Sequence, residues 1–450
     1  MLEREQLDPY RTPRIPSAVP YLGSELINPD RYHSLSWMQQ EWTSLWKTTW
    51  NLGVRVDELQ EPGDYVRHSL GKEDFVFICG DDGLIRGFYN VCRHRGNRLC
   101  QGDKNGYLTE FHCPYHGWRW HRDGSLAKVT DPHFFPQFRE TGVPKQELGL
   151  HPVKIELWAG WVWFTMDFDA PPLEVFLGDV MSHIEPYQME RWQTVDYKTL
   201  QWQCNWKHVV DAFSESYHFE ALHPQLLDWA RGHDVPIELL GLHSRMYNYI
   251  GTLSPQVTDR ESLSPMMREV MNNYLGIPID PDNYDGDPEE VYLEVRRRKR
   301  AIQDQTHLPY KQLTDEQLSE ICHYGIFPST IWALTPEGMV MFRARPHPTD
   351  PGQCYFDLIL MAHNPPGTPS PDYEHAILSH AESRDLSKVC NIHPVNAEVV
   401  QQDAVNLEPM QAGTASDVFE GAILCDQEVR LRHFHQTLDK VLANGGWKSC

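Results

Sequence analysis

The stretch "CRHRGNRLCQGDKNGYLTEFHCPYHGW", Cys92 to Trp118, decides how the rest of the chain is read. It holds a Cys-x-His pair, 18 intervening residues, and then a Cys-x-x-His pair. Cys92, His94, Cys113 and His116 therefore offer two thiolates and two imidazoles. Such a set can close a structural zinc tetrahedron. It can also hold a two-iron, two-sulfur cluster, with thiolates on one iron and imidazoles on the other. Each pair contributes one cysteine and one histidine. Two loops meeting tip to tip would put both cysteines on one side and both histidines on the other, which favours the cluster over zinc. Glycines and a proline crowd the loops ("HRGNR", "CPYHGW"), so backbone amides can approach the sulfurs. Cys100 lies between the pairs as a bystander.

Around this stretch, residues 51–164 alternate short apolar runs with turn signals such as "EPGD", "GDDG" and "RDGS", the texture of a small all-β domain. "DFVFICGDDGLIRGFYNVC" predicts a hairpin turning at Asp81-Asp82-Gly83, and "LWAGWVWF" has strand length. Residues 29–50 predict an amphipathic helix. Beyond "DAPP" (Asp169–Pro172) the texture is mixed. "NWKHVVDAFSESYHFEALHP" is helical in pattern, and residues 252–325 look like a charged, partly helical insertion. Strands return in "STIWALTPEGMVMFRARPHP" and "CYFDLILMAHNPP", and a last helix is expected over 416–444. "RRRKR" (Arg296–Arg300) reads as a solvated helix face or, less simply, a docking patch.

The chain has 450 residues, 40% hydrophobic and 11% aromatic, ample for two to four domains with real cores. The net charge of -23 argues against binding nucleic acid or an anionic membrane. No apolar run approaches the roughly 18 residues of a membrane span. The charged start "MLEREQLDPY" lacks a secretory core. The ten cysteines follow no framework pattern. A cytoplasmic location with mostly free thiols is the expectation. No Gly-x-Gly-x-x-Gly or Walker loop appears, so any electrons must come from a separate protein.

"CRHRG…CPYHGWRW…DG" resembles the Rieske signature. The resemblance implies Cys92 and Cys113 on one iron, His94 and His116 on the other, and Trp118 packed over the cluster. A second constellation then matters. Asp211, Glu215 and His218 share one face of a helix, at i, i+4 and i+7. His223 precedes Pro224, which pushes it out of the helical region and can turn it back beside His218. Two imidazoles and one carboxylate make the facial triad of non-haem Fe(II) oxygenases. The carboxylate expected to complete it is Asp403, in "VVQQDAVNLEPMQAG".

Together the two constellations resemble the α (catalytic) subunit of Rieske non-haem iron aromatic-ring-hydroxylating oxygenases. The resemblance implies an α+β chain: a small all-β Rieske [2Fe-2S] domain plus a helix-grip (START/SRPBCC-like) catalytic domain. The boundaries expected are 1–46 for an N-terminal helical segment, 47–166 for the Rieske domain and 167–450 for the catalytic domain. It implies a [2Fe-2S] cluster, a mononuclear Fe(II) held by His218, His223 and Asp403, and a separate reductase or ferredoxin as electron donor. It also implies a homotrimer or a multiple of one, with or without a β subunit, in which Glu215 links the iron to a Rieske histidine of the next subunit. Most members carry Asp at the position of Glu215. Glutamate occurs there in subgroups that include those acting on quaternary amines, and Asp211 is the reserve candidate for the link. The expected substrate is a hydrophobic aromatic or alicyclic compound, carboxylates included, which is hydroxylated or dihydroxylated in aromatic hydrocarbon catabolism. The alternatives are monooxygenation or demethylation of an O- or N-methyl or quaternary ammonium compound, a non-catalytic Rieske electron carrier, and a START-like binding protein.

Overall fold

The structure is a computed structural model that describes residues 20–102, 105–373, 375–386 and 394–449. The charged start read at residues 1–10 lies outside them. The chain forms two compact units, one built chiefly from Gln39–Phe176, the other from Leu177–Arg345 and Pro351–Lys440.

The N-terminal helix expected over 29–50 is broken. It becomes α1 (Asp30–His33), α2 (Leu35–Glu41) and a wider turn at Trp42–Trp46, and the first strand has begun by Asn51.

The first unit is all-β in its sheets. Strands β1 (Asn51–Arg55), β2 (Asp64–Leu70), β3 (Glu73–Cys79), β4 (Ile85–Tyr89), β5 (Gly106–Tyr107), β9 (Pro152–Trp158) and β10 (Trp161–Thr165) pair in the order β1-β10-β9-β4-β3-β2-β5. The expected hairpin is β3–β4, with Cys79 opposite Ile85. The "LWAGWVWF" run is the β9–β10 hairpin, closed by Ala159 and Gly160, both at positive φ. Every residue of β10 is buried, as its unbroken apolar run requires. A second sheet joins β6 (Phe111–His112), β7 (Arg119–Trp120) and β8 (Leu126–Lys128). Trp118, Trp120, Phe111, Phe88, Val76 and Ile78 pack with Cys92, Cys100 and Cys113 into one core. Apolar packing thus fixes the roots of the two ligand loops.

The second unit is a nine-stranded sheet gripping a long helix. After α3 (Leu173–Leu177) and α4 (Asp179–Ile184) come β11 (Gln193–Trp202), α5 (Trp206–Ala212), α6 (Phe219–Leu222), β12 (Ala230–Arg231), β13 (Ile237–Leu240) and β14 (His243–Ile250). The 252–325 segment carries α7 (Pro265–Asn273), α8 (Val291–Ala301) and α9 (Asp315–Ser319), and its last residues open β15 (Ile321–Ile326). The remaining elements are β16 (Thr330–Thr335), β17 (Gly338–Pro346), β18 (Cys354–Ala362), β19 (Ala376–Leu378), α10 (Pro394–Thr414) and α11 (Val429–Asn444). The sheet order is β12-β14-β15-β16-β17-β18-β11-β19, with β13 beside β14. The last helix therefore begins at Val429 and not near Ser416.

Two periodicities meet across this unit. Met246, His323, Ala333 and Val340 form one cross-strand row over four neighbouring strands. Alternation puts Asn248, Ile250, Ile321, Thr335 and Phe342 on the same face. Opposite stand Asn396, Val399, Val400 and Asp403 of α10, spaced i, i+3, i+4, i+7. The space between face and helix is a cavity of about 420 Å3.

"RRRKR" is a solvated face only at Arg297 and Arg298, whose side chains are 44% and 40% exposed. Arg296 and Lys299 are buried. Arg296 donates to Ser319 and reaches Glu320 at 3.3 Å, and Lys299 binds the Leu318 carbonyl at 2.9 Å and Glu337 at 2.8 Å. Arg300 bonds Asp315. The run ties α8 to α9 and to a residue of the cavity wall.

Candidate metal centres and active site

In the first unit the two ligand loops are copies of one turn. The Cys92 amide donates to Asn97 O at 2.8 Å and the Gly96 amide to Cys92 O at 3.0 Å. The Cys113 amide donates to Trp118 O at 2.9 Å and the Gly117 amide to Cys113 O at 3.0 Å. Gly96 and Gly117 close the turns at φ of 77° and 70°, a region costly for side chains with a Cβ. This turn aims amides at sulfur: those of His94 and Arg95 at Cys92, and those of Tyr115 and His116 at Cys113. Burial opposes ionisation at both thiols. At Cys92 burial wins and pushes the thiol up. At Cys113 the amides and Asn97 outweigh it and lower the thiol.

The two histidine rings stand 4.6 Å apart, and Trp118 stacks on His94 at 4.9 Å with the planes 5° apart. The Nδ1 atoms of His94 and His116 are buried without a hydrogen-bond partner. Buried imidazole nitrogens without a partner are what metal ligands look like before the metal is added. Among the described residues the only set of three or more potential ligand atoms all within 4.8 Å of one another lies in the other unit. Cys100 is buried in the same core as Cys92 and Cys113, its thiol pushed up to about 12 by burial.

That closer set is His218, His223 and Asp403. His218 Nε2 and His223 Nε2 are 3.1 Å apart, and Asp403 Oδ1 lies 3.5 Å from the first and 3.2 Å from the second. His223 and Asp403 are buried. Three donors converging on one point, two nitrogens and one oxygen, suit a divalent transition metal and leave open positions. Burial alone would lower the His218 pKa. The Glu215 hydrogen bond and the Glu215 and Asp403 charges outweigh that and raise it, so the pocket favours a cation.

The segment carrying the two histidines departs from a continuous helix. Asn205 caps α5 by accepting from the Lys207 amide, but α5 ends at Ala212. Glu215 then turns its carboxylate onto the amides of Tyr217 and His218 and onto His218 Nδ1. A side chain that takes local amides competes with the helix ladder. The chain restarts as α6, and His223 ends it at φ -120° and ψ 59°, as Pro224 demands. Glu215 and His218 are together, but Asp211 does not share their face. It is buried between the Tyr32 hydroxyl at 2.6 Å and His435 Nε2 at 2.9 Å.

Gln402 was not legible in the sequence. Its Oε1 accepts from His223 Nδ1 at 2.7 Å and from the Gln225 amide at 2.7 Å. Each imidazole thus has its outer nitrogen held, His218 by Glu215 and His223 by Gln402, which leaves both Nε2 atoms free for a metal. The available signal was weak: a polar residue beside Asp403 on a helix whose buried residues include Val395, Ala397, Val400 and Leu407.

The cavity opens on this triad. Phe213, Phe219, Trp229, Tyr274 and Phe342 supply aromatic wall, and among the described residues no lysine or arginine lines it. The stretches "LLDWARGH", "MYNYIGTL" and "HYGIFPSTIWAL" all contribute lining residues. From 252–325, Tyr274, Ile321 and His323 line it.

A paired-loop cluster site and a two-histidine, one-carboxylate iron site define a class, the Rieske non-haem iron oxygenases. The Rieske [2Fe-2S] domain family matches residues 49–139, and the ring-hydroxylating α subunit catalytic domain matches residues 189–444, more than half of the chain. The chain belongs to the ring-hydroxylating α subunit family, whose members carry both the cluster and the mononuclear iron.

Curated relatives include the glycine betaine monooxygenase oxygenase subunit of Pseudomonas aeruginosa, 31% identical over 40% of this chain and 40% of that protein. The carnitine monooxygenase oxygenase subunit of Escherichia coli K12 is 31% identical over 42% of this chain and 50% of that protein. The biphenyl 2,3-dioxygenase α subunit of Rhodococcus jostii is 29% identical over 43% and 42%. The chain thus matches half or less of the length of these relatives. A quaternary ammonium Rieske monooxygenase bound to L-carnitine has the same fold, with a TM-score of 0.62, 18% identity and coverage of 92% and 95%. Naphthalene 1,2-dioxygenase of a Rhodococcus species, bound to indole, fits equally well, with a TM-score of 0.63, 18% identity and coverage of 93% and 94%. Fold alone does not separate the two substrate classes.

Among the described residues no helix is long and apolar enough to cross a membrane.

Proposed function

We propose that this oxygenase hydroxylates a substrate with a large apolar body, aromatic or alicyclic, using electrons from a separate reductase or ferredoxin. The observation that supports it is the cavity: about 420 Å3, walled mainly by aliphatic and aromatic side chains and ending on the triad. A space of that size takes a ligand of drug-like dimensions.

In this reading Cys92 and Cys113 bind one iron of the cluster, His94 and His116 the other, and His218, His223 and Asp403 hold the mononuclear iron. When bound, the cluster supplies single electrons and the mononuclear iron activates dioxygen. The chain's own residues do the rest. Amides aimed at Cys92 and Cys113 stabilise charge on sulfur. Glu215 and Gln402 fix the imidazole tautomers. The aromatic wall excludes water and presents one edge of the substrate to the triad. We assign the bridging role to Glu215, which accepts a hydrogen bond from His116 of the partner subunit in a trimer or a multiple of one, with or without a β subunit. Asp211 has no part in that bridge, since its carboxylate is committed to Tyr32 and His435.

One set of observations favours a second reading. The relatives that act on glycine betaine and carnitine, the glutamate at position 215, and an aromatic wall without lysine or arginine among the described residues would all suit a methylated ammonium group. The test is turnover by the metal-loaded protein with a surrogate reductase. Naphthalene and biphenyl are set against glycine betaine and carnitine, with product and oxygen uptake followed together. Oxygenated products from the hydrocarbons support the first reading. Product from the ammonium compounds alone overturns it in favour of demethylation or monooxygenation.

A further inference from the structure

One buried cation stands beside the cavity, on the same face of the sheet. Arg430, in the first turn of α11, is 1% exposed. Its Nε donates to Ser244 Oγ at 3.0 Å and its Nη1 to His323 Nδ1 at 3.3 Å, and Nη2 has no partner. Among the described residues no carboxylate forms an ion pair with it. The acid whose charge it feels is Glu215, already committed to His218. A guanidinium without an ion pair is costly to bury. Burial pulls this one down to about 9. The carboxylates that line the cavity are likewise committed. Asp403 belongs to the triad, Glu215 bonds His218, and Glu337 is bound by Lys299 and by the Tyr310 hydroxyl at 2.7 Å.

His323 carries the influence of Arg430 into the cavity. It stands on the cavity face of β15, in the row with Met246 and Ala333. Arg430 can only donate, so His323 Nδ1 must accept and Nε2 must carry the hydrogen. Burial and the neighbouring guanidinium hold the imidazole neutral, well below its ordinary range, so this tautomer persists. Asn248 is the diagonal neighbour of His323 on β14 and also lines the cavity. Its Oδ1 is buried without a partner. The wall thus holds two adjacent polar side chains whose bonding is unfinished, one of them next to an unpaired positive charge.

We infer that His323, positioned by Arg430 and Ser244, is a specificity-determining residue whose Nε2–H docks an oxygen acceptor of the substrate, a carboxylate or a carbonyl. The inference rests on the reading of this cavity as the seat of an apolar substrate, and it adds that the substrate bears one such oxygen. The apolar body then lies between this anchor and the triad, and the anchor decides which carbon is presented.

The test measures binding to the metal-loaded protein under anaerobic conditions, by calorimetry, with three probes: naphthalene, 2-acetylnaphthalene and 2-naphthoate. His323→Leu should weaken the two oxygenated probes by about tenfold or more, the range expected for losing a buried hydrogen bond to a polar or charged acceptor. It should leave naphthalene within about twofold. His323→Gln, which restores an N–H donor, should recover much of the loss. Arg430→Met should weaken the oxygenated probes too, and a larger loss for the acid than for the ketone identifies the carboxylate as the preferred group. Equal weakening of all three probes by His323→Leu would make His323 a packing residue and overturn the inference, as would no change in any. Failure of all three probes to bind the unmodified protein would overturn both the inference and the apolar-substrate reading. Binding of naphthalene with no response to His323→Leu would overturn the inference alone.

Discussion

Replacing Gln402 by leucine should strip the mononuclear site of metal affinity while leaving the rest of the protein intact. Gln402 Oε1 is the acceptor for His223 Nδ1, at 2.7 Å, and His223 is fully buried, so no water can substitute. Leucine nearly preserves volume and suits a helix. The change therefore removes only the side-chain hydrogen bonds of Gln402, to His223 and to Gln225. A buried donor left without its acceptor costs about 1–3 kcal/mol. The imidazole can recover that energy by rotating or by moving its hydrogen to Nε2, and either response spoils the metal-facing nitrogen. Losses of about 10- to 100-fold in metal affinity are typical when such a partner is removed. The assay is Fe(II) binding to chelator-stripped protein, in competition with a coloured chelator, with the visible spectrum of the cluster as internal control. Gln402→Glu keeps an acceptor and should lose far less. Wild-type iron affinity in Gln402→Leu, within about twofold, would refute the reasoning and reduce Gln402 to a helix-packing residue.

Alanine at His223 or Asp403 should abolish mononuclear iron binding and product formation while the cluster spectrum survives, and full turnover in either variant would mean that the iron sits elsewhere. Cysteine in place of His94 or His116 should retain a cluster but lower its potential, because a thiolate replaces a neutral imidazole, and an unchanged potential by redox titration would contradict that ligand assignment. His208 and His363 are both held down to about 4, by burial first. Unfolded imidazoles titrate near 6.5, so from about pH 6.5 down to 4 the unfolded chain binds more protons and stability falls with pH. The Tm should therefore be level above about pH 7 and fall below 6.5, with a shallower fall in His208→Gln, and a Tm flat from pH 7 to pH 5 would show that these rings ionise freely in the folded protein.

The Rieske loops were legible because their chemistry is local. Four ligands sit in two short pairs, and the glycines that close each turn are adjacent in sequence, so spacing alone carried the geometry. Asp403 was reachable only through the family pattern, since 179 residues lie between it and His223 and no periodicity links the two. Gln402 and His323 were not reachable. Each acts through one hydrogen bond to a residue remote in the chain, and nothing in composition marks a glutamine or histidine as held in that way. The "RRRKR" run shows the opposite failure. Dense positive charge reads as solvent-facing by default, but Arg296 and Lys299 are buried because Glu320, Glu337 and the Leu318 carbonyl come to meet them.

The most consequential difference lies between Asp211 and His218. Spacing of i, i+4, i+7 puts Asp211, Glu215 and His218 on one helix face, which would leave two acids competing for one role. The chain resolves that competition by breaking the helix. Glu215 spends one carboxylate oxygen on the amides of Tyr217 and His218 and the other on His218 Nδ1. One side chain thus ends a helix run, starts the next turn and orients a candidate metal ligand. The break frees Asp211 to pair with Tyr32 and His435, where it ties the N-terminal α1 and the last helix to α5. Aspartate at position 215, a methylene shorter, would have to choose between the amides and the imidazole. The glutamate that departs from the common family residue is therefore matched to this local backbone. Its presence follows from the geometry of the turn as much as from any substrate the enzyme handles.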